Sequence, residues 1–414
     1  MTNAAPIPPG LARRIVLGIG GGIAAYKTCE VLRRLTEAGH QVRVVPTAAA
    51  LQFVGAATWE ALSGFPVRDS VFADVAEVAH VRLGQTADLV LVAPATADLL
   101  ARAAHGRADD LLTATLLTAR CPVLLVPAMH TEMWEHPATE HNVAVLRSRG
   151  TVVAVPASGR LTGADSGAGR LPGPAEIVDL ATLLLHRPSA LPRDLVGRQV
   201  VVSAGGTREP LDPVRYLGNR SSGRQGYALA RIAAQRGARV RLIAAHTADL
   251  ADPAGVEVVR VSTAEQLHEA VLKAAPEADA VVMAAAVADF RPAGRHPSKI
   301  KKTGSEPSPV ALTLNPDILT ELVRRRPAGQ VLVGFAAETG DPGGSVLAHG
   351  RAKLARKGCD LLVINAVGEG LAFDVEHNSG WLVSDDGAET ELVQGPKVLL
   401  AAHVWDAVTA RLNG

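Results

Sequence analysis

One pattern, occurring twice, limits the folds open to this chain more than any other feature. It is a short unbroken apolar run, then a glycine turn, then a segment of helical period. RRIVLGIGGGIAAYKTCEVLRRL opens the first half, and RQVVVSAGGTREP, followed by SSGRQGYALARIAAQ, opens the second. Unbroken apolar strands suit sheets covered on both faces, and a strand–turn–helix start is the repeating unit of such sheets. Two starts in a chain of 414 residues predict an α/β protein of two doubly wound parallel-sheet (Rossmann-like) domains. Strands are expected at 14–19, 41–46, 122–126 and 151–155, with helices at 22–38 and 174–186. In the second half, strands are expected at 199–204, 279–285, 331–336 and 360–364, with a helix near 317–326. Residues 1–12 read as a disordered polar tail, 13–187 as the first domain, 188–198 as a Pro-containing linker and 199–414 as the second domain. The basic, Pro-rich stretch 291–309 is too long for an idle connection and reads as a mobile loop serving a site.

Composition excludes several function classes. The net charge of +1, from 42 basic and 41 acidic residues, offers no field for nucleic acid or an anionic membrane. Aromatic residues are 3%, too few for a base-stacking platform. Cys29, Cys121 and Cys359 have no zinc spacing and read as reduced thiols. No apolar run is long enough to span a bilayer, and the N-terminus lacks the order of a signal peptide, so a cytoplasmic protein is expected.

The first glycine turn, Gly18, Gly20, Gly21 and Gly22, lets backbone approach a phosphate at a helix N-terminus, and serves equally as a tight packing turn. Ile23 stands where a dinucleotide fingerprint needs its third glycine, and no acidic residue closes strand 41–46, so a mononucleotide is favoured. Three later turns, at 94–98, 106–113 and 127–134, should converge on the same carboxyl edge. In the second half, Ser221-Ser222-Gly223 reads either as a phosphate cradle or as a helix N-cap. Lys353 and Lys357, at i, i+4 spacing, and Lys299-Ile300-Lys301-Lys302 read either as solvated charge or as an anion site.

The order GGIAAYK, HVRL, APATADLLA, GRADDLLT, PAMHTEMW over about residues 13–185 resembles the flavoprotein family of homo-oligomeric cysteine decarboxylases, whose best known member acts on phosphopantothenoylcysteine. The resemblance implies an N-terminal flavoprotein fold and FMN held by Gly20, Gly21, Gly22, Thr47, Pro94, Ala95 and Thr96. It implies His80 as the base while FMN oxidises the cysteinyl part of the substrate, carbon dioxide leaves, and the hydride returns. Two positions depart from the family. His130 replaces an Asn thought to hold the substrate carboxylate, a task an imidazolium can perform. Gly163 replaces the cysteine of a mobile flap, leaving Thr162, Asp165 or Ser166 as the proton donor, or leaving the reductive half impaired.

GGTREPLDPVRYLGNRSSG, with AAAVADF, KIKK, NPDIL and VGFAAET in order, resembles the phosphopantothenate–cysteine ligase family. That resemblance implies a C-terminal ligase fold and a CTP-derived acyl-cytidylate with Mg²⁺ or Mn²⁺, which the amine of cysteine attacks. It implies CTP contacts at Ala285, Asp289, Lys299, Pro316, Asp317, Ile318, Leu319, Phe335, Lys353 and Lys357. Asn219 would engage the acyl-cytidylate, with Gly205, Gly206, Thr207, Ser221 and Ser222 around 4′-phosphopantothenate. Arg224 stands where the family often has lysine, keeping charge but changing hydrogen-bond geometry. The basic loop would close over the triphosphate as a lid. Trimers through the flavin half and dimers through the ligase half are expected on the same ground. Two rivals remain at this level: a regulatory flavin-binding module in which only the ligase works, and a pair of dehydrogenase domains.

Overall fold

The computed structural model describes residues 12–68, 78–161, 165–301, 309–338, 344–366 and 377–414. The chain divides at Leu191/Pro192 into two compact units, with Pro253–Gly255 grouped with the first.

In the first unit, β1 (Arg14–Ile19), α1 (Ala25–Glu37), β2 (Gln41–Pro46), α2 (Ala56–Ser63), α3 (Ala79–Thr86), β3 (Leu89–Ala95), α4 (Ala97–Ala104), α5 (Leu111–Thr118) and β4 (Val123–Pro127) follow in order. Then come α6 (Thr131–Trp134), α7 (Pro137–Ser148), β5 (Val152–Val153), the pair β6 (Ala157–Arg160) and β7 (Ser166–Arg170), and α8 (Pro174–His186). The sheet order is β2-β1-β3-β4-β5, all parallel, so the strand order reverses between β1 and β3. All seven residues of β3 are buried, as a central strand covered on both faces requires. Strand 151–155 shrinks to Val152–Val153, because Ala154 onward turns out toward the antiparallel β6–β7 hairpin. That hairpin was not expected as strands. Its glycines leave no apolar alternation to read.

The second unit runs β8 (Gln199–Ala204), β9 (Arg208–Pro210), β10 (Tyr216–Gly218), α9 (Arg224–Gln235), β11 (Arg239–Ala244), β12 (Val256–Arg260), α10 (Ala264–Ala274), β13 (Ala280–Met283), β14 (Phe290–Pro292) and β15 (Leu312–Leu314). It continues with α11 (Ile318–Arg325), β16 (Val331–Glu338), α12 (Val346–Lys357), β17 (Leu361–Ala366), β18 (His377–Ser384), β19 (Glu389–Pro396) and α13 (Lys397–Leu412). The sheet order is β12-β11-β8-β13-β16-β17-β18-β19. Its first six strands are the doubly wound order 3-2-1-4-5-6, reversing between β8 and β13. The last two are antiparallel, so the expected parallel sheet carries a hairpin extension. Gly226 lets α9 lie close on β8, since a Cβ there would meet Ala204 Cβ at 2.5 Å. Trp405 of α13 is fully buried and donates to the Leu229 carbonyl at 2.8 Å.

The segment expected as a linker is partly folded onto this unit. Leu195 is fully buried, and Asp194 pairs with Arg236, itself 1% exposed and also bound to Asp406.

Two candidate active sites at the sheet edges

Ligands of open α/β sheets bind outside the carboxyl ends of the strands, where the order reverses. Both units place their glycine turns at that point.

In the first unit, backbone hydrogen bonds stitch the converging loops together. Gly20 N–H donates to the Pro94 carbonyl (2.9 Å), Ala128 N–H to Ala95 (3.1 Å) and Met129 N–H to Gly169 (2.9 Å). A Cβ on Gly20 would lie 2.4 Å from the Pro94 oxygen, and one on Gly21 would lie 2.4 Å from Ala49 Cβ. These two glycines are therefore required by loop packing as well as by any ligand. Gly22 faces Thr96 Cγ2 at an ordinary 3.4 Å. Thr96 caps α4, accepting from Leu99 N–H, and the buried Thr47 accepts from Ala50 N–H. α1 begins without a side-chain cap, and among the described residues the Gly21, Ile23 and Ala24 amides donate to nothing. Open amides at a helix N-terminus are an anion cradle, so the residues present fit a flavin phosphate. Expected residues from three separate loops thus come together here.

His130 is exposed at the start of α6. Its turn is pinned to the β6–β7 hairpin by Thr131, whose hydroxyl donates to the Ala168 carbonyl at 2.7 Å. Asp165 and Ser166 are exposed on the hairpin, while Thr162 and Gly163 lie outside the described residues. His80 stands apart on the first turn of α3. Its Nδ1 is buried and has no partner among the described residues, and its carbonyl accepts from Thr118 Oγ1 at 2.8 Å. A surface histidine would have no such orphaned atom.

The second site is stitched more tightly. Gly206 exchanges both backbone hydrogen bonds with His246 (2.9 and 3.1 Å). Ala286 N–H donates to Gly205 (2.8 Å), and the fully buried Thr207 hydroxyl accepts from Ala288 N–H (3.0 Å). Asn219 Nδ2 donates to the Val287 carbonyl (3.0 Å), and Asn315 Nδ2 to Ala288 (2.8 Å). Ala285 N–H donates to Ser203 Oγ at 3.1 Å. Residues 205–207, 219, 285–289 and the 315–319 turn are thereby brought together.

The N-cap of α9 is Gly223, at φ 74°, with no side-chain cap. Ser221 and Ser222 are therefore not the N-cap; Ser221 Oγ accepts from Gly223 N–H at 3.3 Å, and among the described residues the Arg224, Gln225 and Gly226 amides donate to nothing.

Neither Lys353 nor Lys357 is a solvated charge. Lys353 pairs with Glu338 at 2.9 Å, and Lys357 pairs with Asp317, the N-cap of α11. Burial pushes the Asp317 carboxyl up, but Lys357 and the Thr320 amide outweigh it and hold it below its ordinary value. Phe335 is half-buried in β16, while Asp289 and Lys299 are exposed. Lys302 and Thr339 lie outside the described residues. The loop expected to be mobile is anchored in its described part: Ile300 donates to Asp212 (3.2 Å) and accepts from Arg215 Nη2 (3.0 Å). Among the described residues, no group of three His, Cys, Asp or Glu could hold a metal ion.

Sequence reasoning missed His246, Glu338 and the Asp212 clamp. Glu338 lies within a quoted motif, and its i+15 spacing from Lys353 shows nothing until β16 and α12 are folded. Asp212-Pro213 was a legible turn signal.

A family model described as "DNA/pantothenate metabolism flavoprotein C-terminal domain" matches residues 195–412, and one described as "Flavoprotein" matches residues 10–186. The chain is 66% identical over 409 residues to the coenzyme A biosynthesis bifunctional protein CoaBC of Mycobacterium tuberculosis, covering 98% of each. It is 40% identical over 406 residues to the protein of the same name from Escherichia coli, covering 97% of this chain and 98% of that one. A crystal structure of the C-terminal domain of a CoaBC protein aligns with TM-score 0.45 and 32% identity, covering 53% of this chain and 98% of that chain. On the two family models and the full-length relatives, the chain belongs to the family of bifunctional phosphopantothenoylcysteine decarboxylase and phosphopantothenate–cysteine ligase enzymes of coenzyme A biosynthesis.

Proposed function

We propose that residues 199–414 join 4′-phosphopantothenate to cysteine at the expense of CTP, and that residues 13–187 decarboxylate the product with FMN to 4′-phosphopantetheine. The observation that supports this division best is the presence of two independent cradles, each an uncapped helix N-terminus at a sheet's reversal point.

In the ligase half, a substrate carboxylate oxygen attacks the α-phosphorus of CTP and pyrophosphate leaves. The cysteine amine then attacks the acyl carbonyl and CMP leaves. Lys299, Lys353 and Lys357 offset the charge of the triphosphate, which brings its own Mg²⁺ or Mn²⁺ as part of the substrate. Ala285, Asp289, Phe335 and the Pro316-Asp317-Ile318-Leu319 turn bound the nucleotide. Asn219, steadied through Nδ2, meets the acyl-cytidylate through its Oδ1. Ser221, Ser222 and the open α9 amides take the phosphate of 4′-phosphopantothenate.

In the decarboxylase half, FMN, when bound, supplies a reversible two-electron oxidation that lets the carboxylate leave. The open Gly21, Ile23 and Ala24 amides ahead of α1 would hold its phosphate, with Thr47 and Thr96 on the neighbouring loops. His80 takes the thiol proton as the cysteinyl part is oxidised, His130 holds the substrate carboxylate, and Asp165 or Ser166 returns a proton.

The exposed apolar residues Val214, Tyr216, Leu217, Phe290, Leu312 and Leu314 lie on the two small hairpins of the second unit and support a ligase dimer. Trimers through the flavin half rest on the resemblance. Among the described residues, no helix is long and apolar enough to cross a membrane. The test is to load the protein with FMN and supply 4′-phosphopantothenoylcysteine alone. Carbon dioxide release without CTP is expected, and a yellow protein that releases none would reduce the first half to a flavin-binding module.

A further inference from the structure

The Asp212 side chain is fully buried and accepts hydrogen bonds from two segments of chain. From its own turn come Val214 N–H (2.8 Å), Arg215 N–H (2.8 Å) and the Arg215 guanidinium through Nε (2.9 Å) and Nη2 (2.6 Å). From the basic loop, 88 residues away, comes Ile300 N–H at 3.2 Å. The same Arg215 Nη2 donates to the Ile300 carbonyl at 3.0 Å, so both backbone groups of this residue are gripped. His296 N–H donates to Leu211 O (3.0 Å), giving the loop a second tie to the same turn. Ile300 sits between Lys299 and Lys301, both exposed, and among the described residues neither pairs with a carboxylate. A few residues after Arg215 the same segment supplies Asn219 and Ser221.

An ionised carboxylate surrounded by N–H groups is a rigid fixture, because each donor lost would leave buried charge unmatched. Arg215 is the first cause of its low pKa, so Asp212 stays ionised through the whole working pH range. A lysine otherwise carries a large rotamer and backbone entropy, and fixing its neighbour's backbone reduces what must be ordered when an anion arrives.

We propose that Asp212 is a positioning residue for nucleotide binding: through Arg215 it clamps the Ile300 backbone and so presents Lys299 to the triphosphate in register with Asn219. This rests on the ligase reading given above. The clamp predicts that CTP binding, rather than later chemistry, suffers when it is opened.

Two variants of the full-length protein test this. Asp212→Asn removes the charge. Ile300→Pro removes only the loop's donor and leaves the 212–215 turn intact, which separates loop anchoring from the folding of the turn. A lysine-specific endoprotease reads the loop directly. Both variants should be cut after Lys301 about tenfold faster than wild type, with the KM for CTP raised about tenfold and kcat changed much less. Equal cutting rates in wild type and Ile300→Pro would overturn the clamp. Faster cutting with an unchanged KM for CTP would overturn its positioning role. A wild-type protein that never releases pyrophosphate from CTP would sink the ligase reading, while the protease arm would still decide the clamp.

Discussion

Gly206→Ala offers a quantitative test of the second site. A Cβ at this position would lie 2.6 Å from the Asn219 carbonyl oxygen and 3.4 Å from Ser221 Cβ. Carbon–oxygen contacts settle at about 3.3–3.6 Å, so the backbone at residue 219 must retreat by about 0.8 Å. Gly206 itself is held on the other side by two hydrogen bonds to His246, so it is the 219 segment that yields. Displacing a reacting group by about 1 Å costs on the order of 100-fold in rate, equivalent to about 2.7 kcal/mol of barrier. The overpacking itself should cost about 1–3 kcal/mol of stability, which is a few degrees in the melting of a unit this size. The assay follows pyrophosphate release from CTP with 4′-phosphopantothenate, beside carbon dioxide release from 4′-phosphopantothenoylcysteine on the same preparation. Ligase kcat/KM should fall about 100-fold and decarboxylation should stay within threefold. Gly294→Ala, whose new Cβ meets nothing within 4 Å, should leave both rates near wild type. Ligation by Gly206→Ala within threefold of wild type would refute the geometric argument, and an equal fall in both activities would refute the separation of the sites.

His80→Asn should abolish carbon dioxide release and leave pyrophosphate release intact, since the orphaned Nδ1 belongs to the first unit alone. Arg236→Met removes the hydrogen-bonded ion pairs of the buried guanidinium with Asp194 and Asp406 and should destabilise the second unit by about 1.5–3 kcal/mol in denaturant melts. Asp317 has a folded pKa below its ordinary value of 3.8, so its contribution to stability is present above that pH and lost as pH falls through the folded value. Wild type should therefore lose more stability than Asp317→Asn between about pH 5 and pH 2, and parallel acid melts of the two proteins would contradict this.

The main strands were legible because central parallel strands are apolar throughout; β1, β2 and β8 begin and end where the sequence places them. The two glycine turns were legible because only close backbone approach explains them. The short strands Tyr216–Gly218 and Leu312–Leu314 were not, because every residue in them is exposed and neither alternation nor burial marks them. The β18–β19 hairpin had a signal that went unread: Asp386-Gly387, with Gly387 at φ 88°, lies between two runs of strand-forming residues. Site residues clustered in sequence, such as 205–207 and 316–319, could be found from motifs. Glu338, His246 and Asp212 act through partners 15 to 88 residues away, and those pairings exist only once the sheet has formed.

The most direct test of the two-site account is product analysis of the purified protein, loaded with FMN and given 4′-phosphopantothenate, cysteine, CTP and Mg²⁺. The account predicts 4′-phosphopantetheine, carbon dioxide, CMP and pyrophosphate in equal amounts. Accumulation of 4′-phosphopantothenoylcysteine without carbon dioxide, or no consumption of CTP, would contradict it.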